Sequence, residues 1–359
     1  MEKKIILYAK DCVKIENKIY FISLNMNLIF SIDINDNKIE LITHIPNISF
    51  LYDELMGAID ICENKLVIAP NKTNEIWIYD IDKREWNNIE RDEFAHIGTG
   101  GMLQIVKYNN YMYLIGSSYP AIIKLDVSKM KAEYIKEPFI EKVKKMGELK
   151  DAFFRTHHAV RGEWLYLASC VDNTVLKFNL KTNEYKWLSI GSDDNKFSGI
   201  VYSLNDFWLS PRTTEKIIKW DGMNGIKEIS LPAEYRNKSS NYFLGVCFDG
   251  ESIIFPNMLE ANSVKINIHS NKMDKDASRY MMMKQLGDSE IISESEDGCL
   301  EYIRDGKIIF RGKLEVSFNI LQEFLTRNDL KIYNKLKVYT EGGVFALNTN
   351  ELLLISTYV

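Results

Sequence analysis

The stretch KLVIAPNKTNEIWIYDIDKREW, residues 65–86, decides the fold of this 359-residue chain. It contains two short apolar segments, LVIAP and IWIYD, separated by a polar loop, and the second ends at Asp80 in a polar turn before Trp86. A tight turn at Glu63-Asn64 and another apolar segment, LMGAIDIC, precede them. Short apolar segments between turn-forming residues predict antiparallel strands, so this unit has four strands, which we name A to D in chain order.

The same unit recurs along the chain. Its C strand ends in Asp or Asn six times, and a weaker seventh copy, LEYIR, ends at Arg304. Successive copies lie 37 to 53 residues apart. The six clear copies are IFSID to Asp33, IWIYD to Asp80, IIKLD to Asp126, VLKFN to Asn179, IIKWD to Asp221 and VKIN to Asn267. This period predicts an all-β propeller of four-stranded antiparallel blades, with seven blades favoured and six as the alternative.

The framework of these units resembles the kelch repeat over about residues 10–312. In the second copy, LVIAP is followed by Tyr79-Asp80 and then, six residues after the aspartate, by Trp86; Trp187 holds a similar place in the fourth copy. The glycine pair that ends a kelch B strand is absent. Its second position holds Ser23, Pro70, Ser117, Ser169, Pro211 and Pro256. The resemblance implies a propeller in which Trp86 is buried between blades.

Two segments depart from the repeat. Residues 137–150 place Phe139, Ile140, Val143 and Met146 at helical spacing, which predicts a short amphipathic helix between the third and fourth blades. Residues 318–336 carry another apolar stripe, which predicts a C-terminal helix, and a strand pair, VFAL and ELLLIS, follows it. We therefore expect a propeller over residues 1–316 and, over residues 317–359, a C-terminal helix plus a strand pair that pack on it or close it.

The N-terminal segment KIILY is predicted to close the ring. A closed propeller leaves no unpaired inner edge, so we expect residues 4–9 to pair with a strand from beyond residue 285 and to form the outer strand of the last blade.

Composition excludes several classes of protein. The net charge of −5 and the lack of long runs of like charge argue against nucleic acid as a partner. No run of 18 apolar residues occurs, so we expect no membrane span and a cytoplasmic protein. The five cysteines are scattered and never spaced as CxxC, which favours free thiols over disulfides or a zinc site. We expect no cofactor and no metal.

Blade topology predicts where a ligand binds. The A–B and C–D turns lie on one face of the disc and are short here, whereas the B–C loops and the connections between blades lie on the other and include the long segments. Loops on a rigid scaffold commonly bind ligands, so we place the site on this second face. The candidate ligand-binding residues around the channel are Glu54, Lys72, Tyr119, Arg155, His157, His158, Lys196, Arg212 and Asn257. Their basic bias suits an anionic ligand or an acidic peptide.

The adjacent pair His157-His158 is the candidate for acid–base chemistry. We align His158 with Gly57, Gly101, Gly199 and Gly245 of the other A strands, beside the axis. Alternation along a strand sends the two rings to opposite sides, which argues against joint metal binding. A structural role for this histidine is the favoured interpretation.

Three functions fit the sequence. The first is a non-enzymatic binding or scaffold protein that holds a protein, peptide or anionic ligand on its loop-rich face. The second is an enzyme in the central channel acting on a small carbohydrate or anion, because the resemblance to kelch-like propellers implies isomerases or lyases among its possibilities. The third is a module that serves a modifying enzyme and docks through the C-terminal helix.

Overall fold

The computed structural model describes residues 4–24, 26–46, 55–92, 101–146, 152–236, 243–257, 263–317 and 319, together with the strands at 336–340 and 343–347. Within these residues the chain forms seven four-stranded antiparallel blades and one further four-stranded sheet. The predicted seven-bladed propeller is therefore confirmed, and the weak seventh copy is a complete blade.

The strands follow one another along the chain almost without interruption. The chain starts with β1 (Lys4–Ile6), which belongs to the further sheet. Blade one consists of β2 Ala9–Ile15, β3 Lys18–Ser23, β4 Leu28–Asp33 and β5 Ile39–His44, and blade two of β6 Met56–Cys62, β7 Lys65–Pro70, β8 Glu75–Asp80 and β9 Glu85–Glu90. Blade three consists of β10 Met102–Tyr108, β11 Tyr111–Gly116, β12 Ile122–Asp126 and β13 Lys131–Ile135, and blade four of β14 Ala159–Arg161, β15 Trp164–Ala168, β16 Thr174–Asn179 and β17 Tyr185–Ser189.

The last three blades have the same order. Blade five consists of β18 Phe197–Ser203, β19 Asp206–Pro211, β20 Lys216–Trp220 and β21 Ile226–Ser230. Blade six consists of β22 Cys247–Phe248, β23 Ser252–Phe255, β24 Ser263–Asn267 and β25 Met273–Asp276, and blade seven of β26 Tyr280–Gly287, β27 Glu290–Ser295, β28 Cys299–Arg304 and β29 Lys307–Lys313. A helix, α1 (Glu137–Met146), lies between blades three and four, as predicted.

Two faces of the disc follow from this order. We call the face with the A–B and C–D turns the turn face, and the face with the B–C loops and the connections between blades the loop face. Side chains of the B–C loops hydrogen-bond to the segments that enter the A strands. The Asn27 Oδ1 atom of blade one accepts from the Leu55 amide at the entry to blade two at 3.1 Å, and the Ser118 Oγ atom accepts from the Gly101 amide of its own blade at 2.8 Å.

The hydrophobic core lies between neighbouring blades. Each gap is filled by alternate side chains of the two facing sheets, as the strand period requires. Between blades four and five, the rings of Tyr166 and Phe207 lie 4.4 Å apart and Trp220 is 1% exposed. Tryptophans in the strand patterns thus fill the gaps between blades, as expected of large apolar side chains.

Trp86 confirms the register derived from the kelch-like spacing. Its ring lies 4.9 Å from that of Tyr79 and 5.9 Å from that of Trp77. Its Nε1 atom donates to the Thr43 hydroxyl of the first blade at 3.1 Å. The side chain is half-buried rather than buried, because it lies on the outer strand, but it packs between blades one and two as predicted.

The N-terminal strand pairs as predicted with a strand from beyond residue 285, but not as the outer strand of the last blade. Ile5 of β1 lies opposite Val316 of β30 (Glu315–Ser317). The outer position of blade seven is already taken by β29, which follows β28 through the tight turn Asp305-Gly306, where both residues have positive φ. The predicted role of KIILY in that blade is therefore wrong.

The C-terminal strands extend β1 into a separate sheet. Its order is β30, β1, β31 (Leu336–Thr340) and β32 (Gly343–Leu347), so VFAL pairs with the segment before it. The segment ELLLIS and nearly all of the predicted C-terminal helix lie outside the described residues. The division of the chain at residue 316 stays a prediction.

Among the residues that the structure describes, no helix is long and apolar enough to span a membrane. The cysteines are unpaired: Cys12, Cys62, Cys170 and Cys247 are buried and Cys299 is half-buried.

Candidate functional site

The predicted site residues that the structure describes all belong to the loop face. Arg155, His157 and His158 precede the A strand of blade four, and Lys196 precedes that of blade five. The B–C loops of blades two, three, five and six supply Lys72, Tyr119, Arg212 and Asn257. Glu54 lies outside the described residues.

His157 fills the central channel. Its Nε2 atom lies 3.0 Å from the carbonyl oxygen of Met283 in blade seven, and its Nδ1 atom lies 3.0 Å from the Thr156 hydroxyl. A carbonyl only accepts, so Nε2 carries the proton and Nδ1 accepts from Thr156. Burial lowers the pKa of His157 to about 4, which keeps the ring neutral. Both nitrogens of the imidazole are therefore committed to structural hydrogen bonds.

The close fit of His157 explains the glycines of the neighbouring blades. A Cβ atom on Gly245 would lie 1.9 Å from His157 Nδ1, and one on Gly199 would lie 2.8 Å from His157 Cβ. It is thus His157, not His158, that aligns with these glycines. The prediction was shifted by one residue because β-bulges interrupt several A strands; Gly57, for example, is itself the bulge residue between Met56 and Ala58.

His158 points to the other side of its strand, as alternation predicted. Its Nδ1 atom lies 2.8 Å from the Gln104 Oε1 atom of blade three, and the Gln104 side-chain amide donates to the Arg155 carbonyl. Nδ1 therefore carries the proton, which leaves Nε2 as an acceptor with no partner among the residues described. Burial, followed by the charge of Lys284, lowers the pKa of His158 to about 3, so the ring is a weak base.

An ion pair that the sequence analysis did not identify lies in the same channel. The Lys284 ammonium donates to the Asp11 carboxylate at 2.9 Å and to the Ile59 carbonyl at 2.9 Å. Burial lowers the pKa of Lys284, but the carboxylates of Asp11 and Asp60 outweigh this effect and the pKa is raised. The sequence signal for this pair was a lysine directly after three methionines in the A strand YMMMKQLG.

The space left in the channel is small. These groups surround a cavity of about 30 Å³, lined by Asp11, Leu103, Gln104, Ile105, Thr156, His157, His158, Lys284 and Gln285. Such a volume holds one or two water molecules and excludes a sugar. Among the described residues, no group of three or more His, Cys, Asp or Glu side chains is arranged to hold a metal ion.

Three predicted residues of the B–C loops are buried. Tyr119 is fully buried, and its hydroxyl donates to the Asp92 carboxylate; burial, followed by Asp92, raises its pKa. The guanidinium of Arg212 donates to the Cys170 carbonyl at 3.1 Å. The Asn257 amide donates to the Ser263 hydroxyl at 2.9 Å, and its carbonyl accepts from Tyr280 at the start of blade seven. These residues join blades to one another.

The remaining cations are more accessible. Lys72 is exposed, and Arg155 and Lys196 are half-buried. The structure gives no ion-pair or hydrogen-bond partner to the side chains of Arg155 and Lys196 among the described residues. They precede the A strands of neighbouring blades, on the loop face.

Comparison with known proteins establishes the fold class. No protein-family model matches the chain, and no curated protein matches it in sequence. Among solved structures, a catalytically inactive virginiamycin B lyase from Staphylococcus aureus with quinupristin is similar: it is 12% identical, with 82% of this chain and 93% of that chain covered and a TM-score of 0.60. YCF48 from Cyanidioschyzon merolae is 10% identical, with 84% and 96% covered and a TM-score of 0.59.

A third similar structure is YCF48 bound to D1 peptide, which is 10% identical, with 87% of this chain and 96% of that chain covered and a TM-score of 0.58. At these identities the likeness shows the fold alone, since propellers of this kind serve a lyase in one case and peptide binding in the other. The chain is a seven-bladed β-propeller; the kelch-like family in particular is not confirmed.

Proposed function

We propose that this chain is a non-enzymatic binding propeller that holds an acidic protein or peptide segment, or a small anionic ligand, on its loop face. The observation that carries the proposal is the pair Arg155 and Lys196. Both are half-buried and precede the A strands of neighbouring blades, and neither side chain has a partner among the described residues. A partly desolvated cation without a counter-charge is costly, and a bound carboxylate or other anion removes that cost.

The charge of the wider surface makes this pair distinctive. The chain as a whole carries a net charge of −5, so these cations on the loop face oppose the overall sign. Elsewhere on the loop face, lysines are matched by acids: Lys136 pairs with Asp92, and Lys142 pairs with Asp172. The charge of Arg155 and Lys196 is therefore available to a ligand.

The structure of the channel weighs against catalysis there. His157 has both nitrogens hydrogen-bonded within the protein. The cavity of about 30 Å³ leaves no room for a substrate of carbohydrate size. A ligand of the loop face would rest on the rim instead of entering the channel.

A second candidate is an enzyme that acts on a small carbohydrate or anion at the channel. It is favoured by one observation: the Nε2 atom of His158 is an acceptor with no partner among the described residues, and it lies in the lining of the cavity. The low pKa of this ring, about 3, weighs against it as a general base near neutral pH.

The experiment uses defined probes. Fluorescence anisotropy would follow a labelled peptide of alternating glutamate and serine, with a lysine–serine peptide of equal length for comparison and citrate as a small competitor. We expect the acidic peptide to bind in preference, and Arg155→Ala with Lys196→Ala to weaken it by about tenfold or more. The matched control is Lys131→Ala with Lys186→Ala, two exposed lysines of outer strands.

Two results would overturn the proposal. One is equal binding of the acidic and basic peptides, and the other is unchanged binding by the Arg155 and Lys196 variant. Turnover of any compound in a panel of small carbohydrates and organic anions, if abolished by His158→Asn, would replace the binding protein with the enzyme.

A further inference from the structure

A carboxyl group is buried where the last blade meets the first. Glu294 lies on β27 of blade seven, and its side chain is 0% exposed. The residues opposite it on the two adjacent strands are Met282 of β26 and Leu300 of β28. Both belong to the apolar core cluster that joins blade seven to blade one. The carboxyl group therefore lies in the apolar gap at which the propeller closes.

One oxygen of this group is bonded across the closure and the other is unused. The Oε2 atom accepts a hydrogen bond from the Ala9 amide at 2.7 Å, so the B strand of blade seven is joined to the A strand of blade one. The Oε1 atom is buried and has no hydrogen-bond partner among the described residues. Buried polar atoms are normally satisfied, and an apolar side chain would fill this gap without that cost.

The charged groups around Glu294 do not neutralise a carboxylate. The charge that acts on it is that of Asp297, in the turn after β27, and it has the same sign. On β26, the Lys284 ammonium already donates to the Asp11 carboxylate and the Ile59 carbonyl in the channel. Glu294 forms no ion pair with any residue that the structure describes. A charge at this position would therefore be buried without compensation.

The remaining titratable groups on the neighbouring strands are neutral. Cys12 of β2 and Cys299 of β28 both interact with Glu294, and burial raises the pKa of each thiol. Tyr8, which precedes β2, donates its hydroxyl to the Glu296 carbonyl at 2.6 Å. These groups offer no positive charge, so the apolar surroundings determine the ionisation of Glu294.

The effect of pH on closure has a definite sign. Burial raises the pKa of Glu294 well above its ordinary 4.5, and the hydrogen bond from Ala9 opposes this only in part. Above pH 4.5 the closed propeller therefore binds more protons at this site than a chain in which the group meets water. The stabilisation from the neutral carboxyl group is complete below pH 4.5 and is lost as the pH rises.

We propose that Glu294 is a pH-sensitive contact that controls opening of the propeller between blades seven and one. The neutral carboxyl group keeps the two blades packed, and loss of its proton favours their separation. Opening transfers one proton from Glu294 to water, and closing takes it back. The contact lies inside the gap between blades, so this proposal does not depend on anion binding at the loop face.

The first test is amide hydrogen exchange, read by mass spectrometry, at about pH 5 and about pH 7. The variant Glu294→Gln keeps an acceptor for the Ala9 amide and cannot ionise. The matched control is Asp288→Asn, which removes an exposed carboxylate from the same blade. Comparing proteins at one pH cancels the intrinsic exchange rate and the contribution of His157.

We expect the opening constant of β2 and β26 in the wild type, relative to Glu294→Gln, to rise by up to about tenfold per pH unit. The control should behave as the wild type does. In β16 of blade four, far from the closure, the ratio should change much less. A ratio at β2 and β26 that does not vary with pH would overturn the proposal. So would an equal rise in β16, because ionisation would then act on the whole fold.

The second test detects the proton itself. Infrared spectroscopy near pH 7 should show the carbonyl band of a protonated carboxyl group. Among the described residues, burial raises the pKa of only two carboxyl groups, Glu294 and Asp60. The band should therefore persist in Asp60→Asn and be lost, or reduced, in Glu294→Gln. Absence of the band from Asp60→Asn would overturn the proposal even if Glu294→Gln fails to fold.

Discussion

The Nε2 atom of His157 lies 3.0 Å from the carbonyl oxygen of Met283, so a side chain of the fourth blade is hydrogen-bonded across the channel to the seventh. The imidazole lies against Gly199 and Gly245 of the two blades between. One buried ring therefore connects four of the seven blades at the axis. This places the histidine among the groups that hold the propeller together.

This position predicts a pH dependence of stability. The pKa of His157 is about 4 in the folded protein against an ordinary 6.5, so the unfolded chain binds more protons between these values. The stabilisation is complete above pH 6.5 and is lost as the pH falls towards 4. It amounts to about 3 kcal/mol. Denaturant unfolding at several pH values should show a smaller decrease for His157→Gln than for the wild type; equal decreases would contradict this role.

The ion pair between Lys284 and Asp11 predicts that removing the lysine alone destabilises the protein more than removing both charges. Lys284→Met leaves the carboxylates of Asp11 and Asp60 in the channel without their cation, which should reduce the free energy of unfolding by about 3 kcal/mol. Adding Asp11→Asn should restore part of this loss, because one uncompensated charge is removed. Urea unfolding measures both variants, and a double variant less stable than Lys284→Met would argue against the pairing.

Substitutions of Trp86 measure how much its contact between blades one and two contributes to the free energy of unfolding. Trp86→Ala removes a half-buried ring and its hydrogen bond to Thr43, and should cost about 2 to 3 kcal/mol. Trp86→Phe keeps most of the packing and loses only the hydrogen bond, at about 1 kcal/mol. The two losses are read from the midpoints of urea unfolding. A loss under about 0.5 kcal/mol for the alanine variant would mean that the contact is a surface one.

The position of the N-terminal strand β1 predicts that the seven-bladed propeller forms even when the further sheet that contains β1 is disturbed. Ile5 is 1% exposed in the core cluster between blades one and seven, so Ile5→Asp should lower the melting temperature by several degrees. Circular dichroism should still show the β-sheet spectrum before melting, because β2 and β26 close the ring without β1. An unfolded spectrum at room temperature would show that β1 is essential to ring closure.

The repeat framework was predictable from the sequence because each blade reuses the same alternation and turn chemistry. The spacing from Asp80 to Trp86 gave the correct register of the outer strand. Positions at the axis were harder to predict, because a β-bulge moves every alignment beyond it by one residue, and this exchanged His157 with His158. The Lys284 to Asp11 pair joins residues 273 positions apart, and no local pattern connects them.

The N-terminal strand was misplaced for a related reason. The sequence shows that KIILY needs a partner, but several edges near the end of the chain are compatible with it. The structure pairs Ile5 with Val316 because β29 already occupies the outer position of blade seven. Tyr119 was assigned to the rim because it lies in a loop, whereas its partnership with Asp92 depends on the neighbouring blade connection.

The most direct test of the binding proposal is a reversal of charge preference. The variant Arg155→Glu with Lys196→Glu is compared with the wild type by anisotropy, using the glutamate–serine and lysine–serine peptides, with Leu204→Asn as a control on the other face. We predict that the wild type prefers the acidic peptide and that the variant prefers the basic one, while its melting temperature stays within a few degrees. The same preference for the acidic peptide in both proteins, with the fold intact, would contradict the assignment of the loop face.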